Sequence, residues 1–185
     1  PRKQAKNINL GLSYGMGKSK LVRELGLDDT EAETLLGQYH EKVPFIKGLQ
    51  DQCARVAMDR GYIKTLAGRR CHFDLWEHKY DKSVPLPLEE AREKYGDVLK
   101  RSYTYKALNR LIQGSAADMT KLAMLGLWEE GIVPHVQVHD EVDISIEDDE
   151  QAATVSRIME NCVELAVPLV VDTELGPNWG STEEI

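Results

Sequence analysis

Two groups of residues have side-chain types and spacings that could do chemistry on a phosphorylated substrate: His139, Asp140 and Glu141 near one end, and Arg2, Lys6 and Tyr14 near the other. Adjacent carboxylates repel each other, and a divalent cation relieves that repulsion. A hard cation such as Mg²⁺ is held by one or two carboxylates and shared with phosphate oxygens. Arg2 and Lys6 fall four residues apart, one turn of a helix, and could grip a triphosphate. Tyr14 lies two turns further along the same line, and its ring could stack on a base. Each group has a bland counterpart, a solvated acidic turn and a solvated basic face, and for an isolated pair the bland counterpart is the commoner. A His-Asp step also fits metal-dependent phosphohydrolases, but His40, His72, His78 and His135 lack ligand spacing. A zinc site fares worse on the same ground.

The elements that must carry these residues can be read from periodicity. Ala5, Ile8, Leu12 and Met16 make one apolar stripe, which predicts a helix over 2–25, with Arg2, Lys6, Leu10 and Tyr14 on a second face. Gly26 is the expected stop, and Thr30 with Glu33 is the expected capping box of the next helix. Val43-Pro44 interrupts it, and a third helix ends at Gly61. Residues 62–66 and 71–75 are expected to pair as a hairpin. Residues 76–98 are expected to be an inserted connection with a short helix after Pro87. A long helix over 100–130 is expected to turn Leu108, Leu111, Ile112, Met119, Leu122 and Leu125 inward, with Gly114 as a bend. A hairpin at 133–146, a helix near 148–166 and a strand near 169–174 complete the chain, which gives an α+β fold class. In the 133–146 hairpin, a three-residue loop pairs residue 138 with 142 and 136 with 144. That register puts Val136, Val138, Val142, Ile144 and Ile146 on one face and places His139, Asp140 and Glu141 at the tip. The run Gly15-Met16-Gly17-Lys18-Ser19 ends like a phosphate-binding loop. It has Leu12 where that motif needs glycine, and it follows a helix rather than a strand.

The 185 residues are 42% hydrophobic and 29% charged, enough for a real core. Three scattered cysteines make no disulfide framework, so a reducing, cytoplasmic setting is expected. No apolar run approaches the roughly 18 residues of a membrane span, so no membrane partner is expected. Pro1 rather than Met opens the chain, from which we expect a piece of something longer. The net charge of −8 is unevenly spread. Residues 1–128 hold 22 Lys and Arg against 16 Asp and Glu, a net of +6, and residues 129–185 hold Arg157 against 15 acids, a net of −14. Local potential governs binding, so the basic front is compatible with nucleic acid.

With these residues in view, the chain resembles the family A DNA polymerases of the bacterial and phage type. Residues 2–16 resemble the family's fingers helix, motif B. Residues 137–141, Gln-Val-His-Asp-Glu, resemble motif C. The run from Asn109 through Gln113-Gly114-Ser115-Ala116-Ala117-Asp118 resembles the palm helix, and Gly176-Pro177-Asn178-Trp179 resembles the family's ending. The resemblance implies a partial polymerase domain: fingers helices over 1–66, then over 67–185 the rest of the fingers and a palm, an antiparallel sheet backed by long helices. The insertion at 76–98 and the catalytic hairpin at 133–146 lie in that second part.

Roles follow by position. Arg2 and Lys6 would contact the phosphates of an incoming dNTP, Lys6 also counting as catalytic. Leu10, where the family is usually aromatic, would lie near the sugar. Tyr14 and Gly15 would border the nascent pair, and Asn109 and Gln113 would touch primer-template DNA. Asp140 would bind catalytic Mg²⁺, with His139 and Glu141 supporting the primer terminus. An arginine that often precedes the Asn109 position by four residues is here Tyr105. Motif A, which carries the second metal-binding Asp, has no counterpart here. The resemblance therefore implies an N-terminal half, in cis or in trans, without which the chain would be inactive. Two other readings stand beside it: a fragment of a single-subunit RNA polymerase, and a non-catalytic DNA-binding or assembly module. The setting implied is the cytoplasm of a bacterium or of a phage-infected host.

Overall fold

The computed structural model describes residues 2–184. In chain order the elements are α1 (Arg2–Ser13), α2 (Lys18–Leu25), α3 (Asp29–Lys42), α4 (Pro44–Arg60), β1 (Tyr62–Lys64), β2 (Arg70–His72), β3 (Leu75–His78), β4 (Leu86–Pro87), α5 (Leu88–Tyr95) and β5 (Leu99–Arg101). A 3₁₀ turn (Thr104–Lys106), α6 (Ala107–Glu129), β6 (Val136–Val138), β7 (Glu141–Asp143), α7 (Asp149–Glu160), β8 (Glu174–Leu175) and β9 (Glu183–Glu184) follow. All strand pairs are antiparallel. The expected α+β mixture is present, in two compact units, residues 1–112 and 113–185. The expected division at 66/67 falls inside the first unit, just beyond β1.

The first unit has two cores. Leu12 of α1, Leu21 of α2 and Ala32 of α3 are buried together, with Ile8 and Met16 packed on them. The expected apolar stripe is therefore real, apart from Ala5, which is exposed. One helix over 2–25 does not form. Gly15 has φ +85, and Met16 N–H returns to the Gly11 carbonyl at 2.8 Å, so α1 closes and α2 restarts. Thr30 does not cap α3. Asp28 does, accepting from the Thr30 and Glu31 amides at 2.8 Å, while the Glu31 carboxylate accepts from the Asp28 amide at 3.0 Å.

The second core joins Cys53 and Ala57 of α4 to Ile63, Phe73, Ala107 and Leu108. The hairpin around 67–70 is present, pairing Tyr62 with His72 and Lys64 with Arg70. The 76–98 segment is more than a connection. Trp76 pairs with Leu86 on one side and with Arg101 on the other, making a sheet of order β4-β3-β5 beside α5. Short strands broken by Pro85 and Pro87 carry too little period to be seen in the sequence.

Arg101 locks this part together. Its guanidinium donates to the Phe73 carbonyl at 2.9 Å and the Met58 carbonyl at 3.2 Å, and it lies 4.4 Å over the Trp76 ring.

In the second unit α6 continues without a break at Gly114. Its buried residues there are Asp118, Ala123 and Leu127, while Leu122 and Leu125 are exposed, as is Ile112 at the close of the first unit. The inward stripe thus runs through Asp118, Ala123 and Leu127 rather than through Leu122 and Leu125. Gly126 lets α7 approach: a Cβ there would lie 3.0 Å from Ile158 Cγ2. The final helix is shorter than expected, and the expected strand near 169–174 is reduced to β8. Among the described residues the three cysteines are free, and burial pushes the Cys53 and Cys162 thiols up, away from reactive thiolate. No helix among the described residues is long and apolar enough to cross a membrane.

Gly61 and Gly68 provide a test of the Arg101 lock. Both have positive φ, +77 and +84. A Cβ on Gly61 would meet the Arg101 guanidinium at 2.8 Å, and a Cβ on Gly68 would meet nothing within 4 Å. Left-handed backbone alone costs an alanine about 1–2 kcal/mol. Gly68→Ala should lose about that much in urea denaturation, and Gly61→Ala roughly 3 kcal/mol, because guanidinium hydrogen bonds go too. Equal losses would show that the lock contributes nothing.

Candidate functional site

The first unit presents the basic line. Arg2, Lys6 and Leu10 lie on one exposed edge of α1, and Tyr14 and Gly15 form the turn that follows. The turn is held from behind. Gln50 Nε2 of α4 donates to the Leu12 and Ser13 carbonyls at 3.0 Å each, and Ser13 Oγ meets Tyr39 Oη of α3 at 2.8 Å. The Leu12 carbonyl also accepts from the Gly15 N–H at 3.1 Å, so Gln50 adds to the turn's own closure and gives the Ser13 carbonyl a partner. Leu10 is 42% exposed, so an apolar side chain stands at the surface between cations and aromatic ring. Asn109 lies near the start of α6, in the same unit. A Cβ on Gly15 would come within 3.7 Å of the Tyr105 carbonyl oxygen, so the turn after α1 and the turn before α6 are adjacent.

The second unit presents the carboxylates, with Gln113 on α6 as its first residue. The hairpin register differs from the expected one. Val138 pairs with Glu141 and Val136 with Asp143, so the loop is the two residues His139 and Asp140. Glu141 belongs to β7 and is not at the tip. The expected register assumed that the hairpin buries one face, yet Val136 is 44% and Val138 37% exposed. With no buried face to enforce alternation, turn geometry decides the register. His139 has φ +57, the left-handed sign at the first loop position that a two-residue hairpin turn uses. The Gln137 side-chain amide donates to the His139 carbonyl and holds the turn from its own strand.

Asp140, Glu141 and Asp143 line an open cleft of about 1030 Å³ between the hairpin, α6, α7 and the segment leading to Trp179. Glu141 Oε1 accepts a hydrogen bond from Trp179 Nε1 at 3.3 Å, which fixes one carboxylate while Asp140 stays exposed at the tip. The donor chemistry fits Mg²⁺, which takes hard oxygen ligands and few of them from protein. Among the described residues no group of three or more His, Cys, Asp or Glu side chains could hold a metal ion. Asp140 by itself would offer such an ion a single carboxylate. Sequence reasoning missed Gln137 and Trp179 as supports. Gln137 was visible only as the first residue of the run resembling motif C, and Trp179 only as part of the ending.

The model of DNA polymerase family A matches residues 1–181, and the chain belongs to that family. It is 38% identical to a DNA-directed DNA polymerase of Pseudomonas phage M6, over 97% of this chain and 29% of that protein. It is 34% identical to the thermostable DNA polymerase I of Thermus aquaticus, over 99% of this chain and 21% of that protein. The chain therefore spans less than a third of the length of these relatives. Among solved structures it is similar to the POL domain of Pol1 from M. smegmatis in complex with DNA primer-template and dNTP. There the TM-score is 0.69 at 28% identity, covering 91% of this chain and 28% of that one.

The strained turn can be probed directly. His139→Val should destabilise the chain by roughly 2 kcal/mol, because a β-branched residue tolerates positive φ poorly. His139→Gly should leave stability unchanged or raise it by up to about 1 kcal/mol. Denaturation of the two variants giving the opposite order would show that this turn is not the one formed.

Proposed function

We propose that this chain is the part of a template-directed DNA polymerase that grips the incoming dNTP and supplies one metal-binding carboxylate. The observation that carries the reading is Asp140, exposed at the tip of a two-residue turn and facing an acidic cleft in which the described residues make no complete ligand set. Family membership and the similarity to a polymerase domain bound to primer-template and dNTP support it.

The reaction is nucleotidyl transfer. The primer 3′-oxygen forms a bond to the α-phosphorus of dNTP, the bond to the bridging oxygen breaks, and pyrophosphate leaves. Arg2 and Lys6 offset the negative charge of the triphosphate as it is oriented for in-line attack. Leu10 packs near the sugar. Tyr14 and Gly15 border the new base pair, while Asn109 and Gln113 hydrogen-bond primer-template. Glu141, steadied by Trp179, and His139 hold the primer terminus. Asp140 would hold Mg²⁺, which when bound in a two-metal site supplies charge stabilisation to both the attacking and the departing oxygen.

The missing carboxylate of that site is proposed to come from a segment outside these 185 residues, in cis or in trans. We place the work of the assembled enzyme in the cytoplasm of a bacterium or a phage-infected host, a reading supported by phage and bacterial relatives.

Two measurements test this. A preparation of only these 185 residues should extend a primer no faster than background in Mg²⁺, and adding the missing segment should restore extension. In the complemented enzyme Asp140→Ala should cut kcat by about 10³-fold, the rate equivalent of several kcal/mol of lost charge stabilisation. Arg2→Ala should chiefly raise KM for dNTP. Complemented activity that survives Asp140→Ala would sink the assignment.

A further inference from the structure

The turn before α6 carries a surface that the proposed machinery does not use. Tyr103 and Tyr105 place their ring centroids 6.4 Å apart with an interplanar angle of 57°. Lys106 Nζ lies 4.5 Å from the Tyr103 centroid and 5.6 Å from that of Tyr105. Tyr105 is 60% exposed, so it gives little to the core. Tyr103 holds φ +59, an unfavourable backbone for an aromatic residue. Strain of this kind persists only where the surroundings over-determine it, and here they do. Ser102 is buried, its amide donates to the Leu75 carbonyl at 2.8 Å, and its hydroxyl donates to Glu77 Oε2 at 2.8 Å. Thr104 is buried as well, and Lys106 N–H closes the turn on the Tyr103 carbonyl at 2.9 Å. A rigid pedestal thus holds two half-open aromatic rings and a cation at the surface.

The neighbourhood limits what such a platform could meet. The Tyr105 backbone lies against exposed Gly15, and Asn109 follows Tyr105 by one helical turn. The unit that carries it, residues 1–112, holds 21 Lys and Arg against 15 Asp and Glu, a net of +6. Aromatic rings beside cations on a basic surface bind unpaired bases, because every base has a π-face and its backbone is anionic. A base stacked inside a duplex offers no free face. In template-directed synthesis the unpaired base next to the nascent pair is the next template base.

We propose that Tyr105, with Tyr103 and Lys106, forms a stacking platform for the first unpaired template base beyond the insertion site. This rests on the polymerase reading above. Lys106 supplies positive charge one residue after the Tyr105 ring. Base stacking of this kind is tolerant of sequence, so the platform would position the template without selecting a base.

The experiment uses the complemented polymerase and two primer-templates that differ only at the first unpaired template position, one carrying a base and the other an abasic site. Equilibrium binding should favour the base over the abasic site by about 5-fold or more in the wild type. Tyr105→Phe should keep that ratio. Tyr105→Leu, similar in bulk and not aromatic, should bring it close to one. A wild-type ratio of one, or a ratio that Tyr105→Leu leaves intact, overturns the platform even if primers are extended normally. If the complemented wild type extends no primer at all, it is the polymerase reading that fails.

Discussion

Helix ends leave carbonyls without partners, and the first unit is held together by side chains that capture them from far along the chain. Arg101 takes the Met58 carbonyl at the end of α4 and the Phe73 carbonyl beyond β2, and Gln50 takes the last two carbonyls of α1. A guanidinium has several donors in a fixed plane, so one residue can serve both carbonyls and still stack on Trp76. The consequence reaches the surface. The turn after α1 and the turn before α6 are each fixed to α4, and they meet at Gly15 and Tyr105. The surface that the unit presents at Gly15 and Tyr105 depends on those two captures.

The second unit solves a different problem, how to hold carboxylates close together without collapse. A two-stranded hairpin is marginal by itself, and this one exposes valines on the face that carries Glu141 and Asp143. Its turn is stabilised locally instead, by the Gln137 amide on the His139 carbonyl and by Trp179 on Glu141. The cleft beside it collects acidic side chains on a unit already rich in negative charge. Neighbouring carboxylates repel one another, so the charge distribution that weakens the unit also favours any cation that enters.

The separation of charge follows the separation of structure. The unit that ends at Ile112 carries the positive excess and the one that begins at Gln113 carries the negative. Potentials of opposite sign therefore surround the two units. A single net charge of −8 conceals this division.

Much was determined by the sequence itself. Helical spacing set the Leu12 stripe and the exposed line of Arg2, Lys6 and Leu10, because a 3.6-residue period needs no distant partner to be visible. Glycine marked the ends of α2 and α4 for an equally local reason. Motif order was legible too, and it identified the family. Only the tertiary structure decided the hairpin register. The pattern of five apolar residues assumed a buried face, and burial is a property of neighbours rather than of the strand. The same holds for α6, where α7 comes close at Gly126 and the inward face runs through Asp118, Ala123 and Leu127. It holds for the 76–98 sheet, whose two- to four-residue strands exist only because Arg101 and Trp76 bring them together. Local periodicity was enough for the helices, while the tip at His139-Asp140 and the pedestal under Tyr105 needed contacts between residues far apart in the chain.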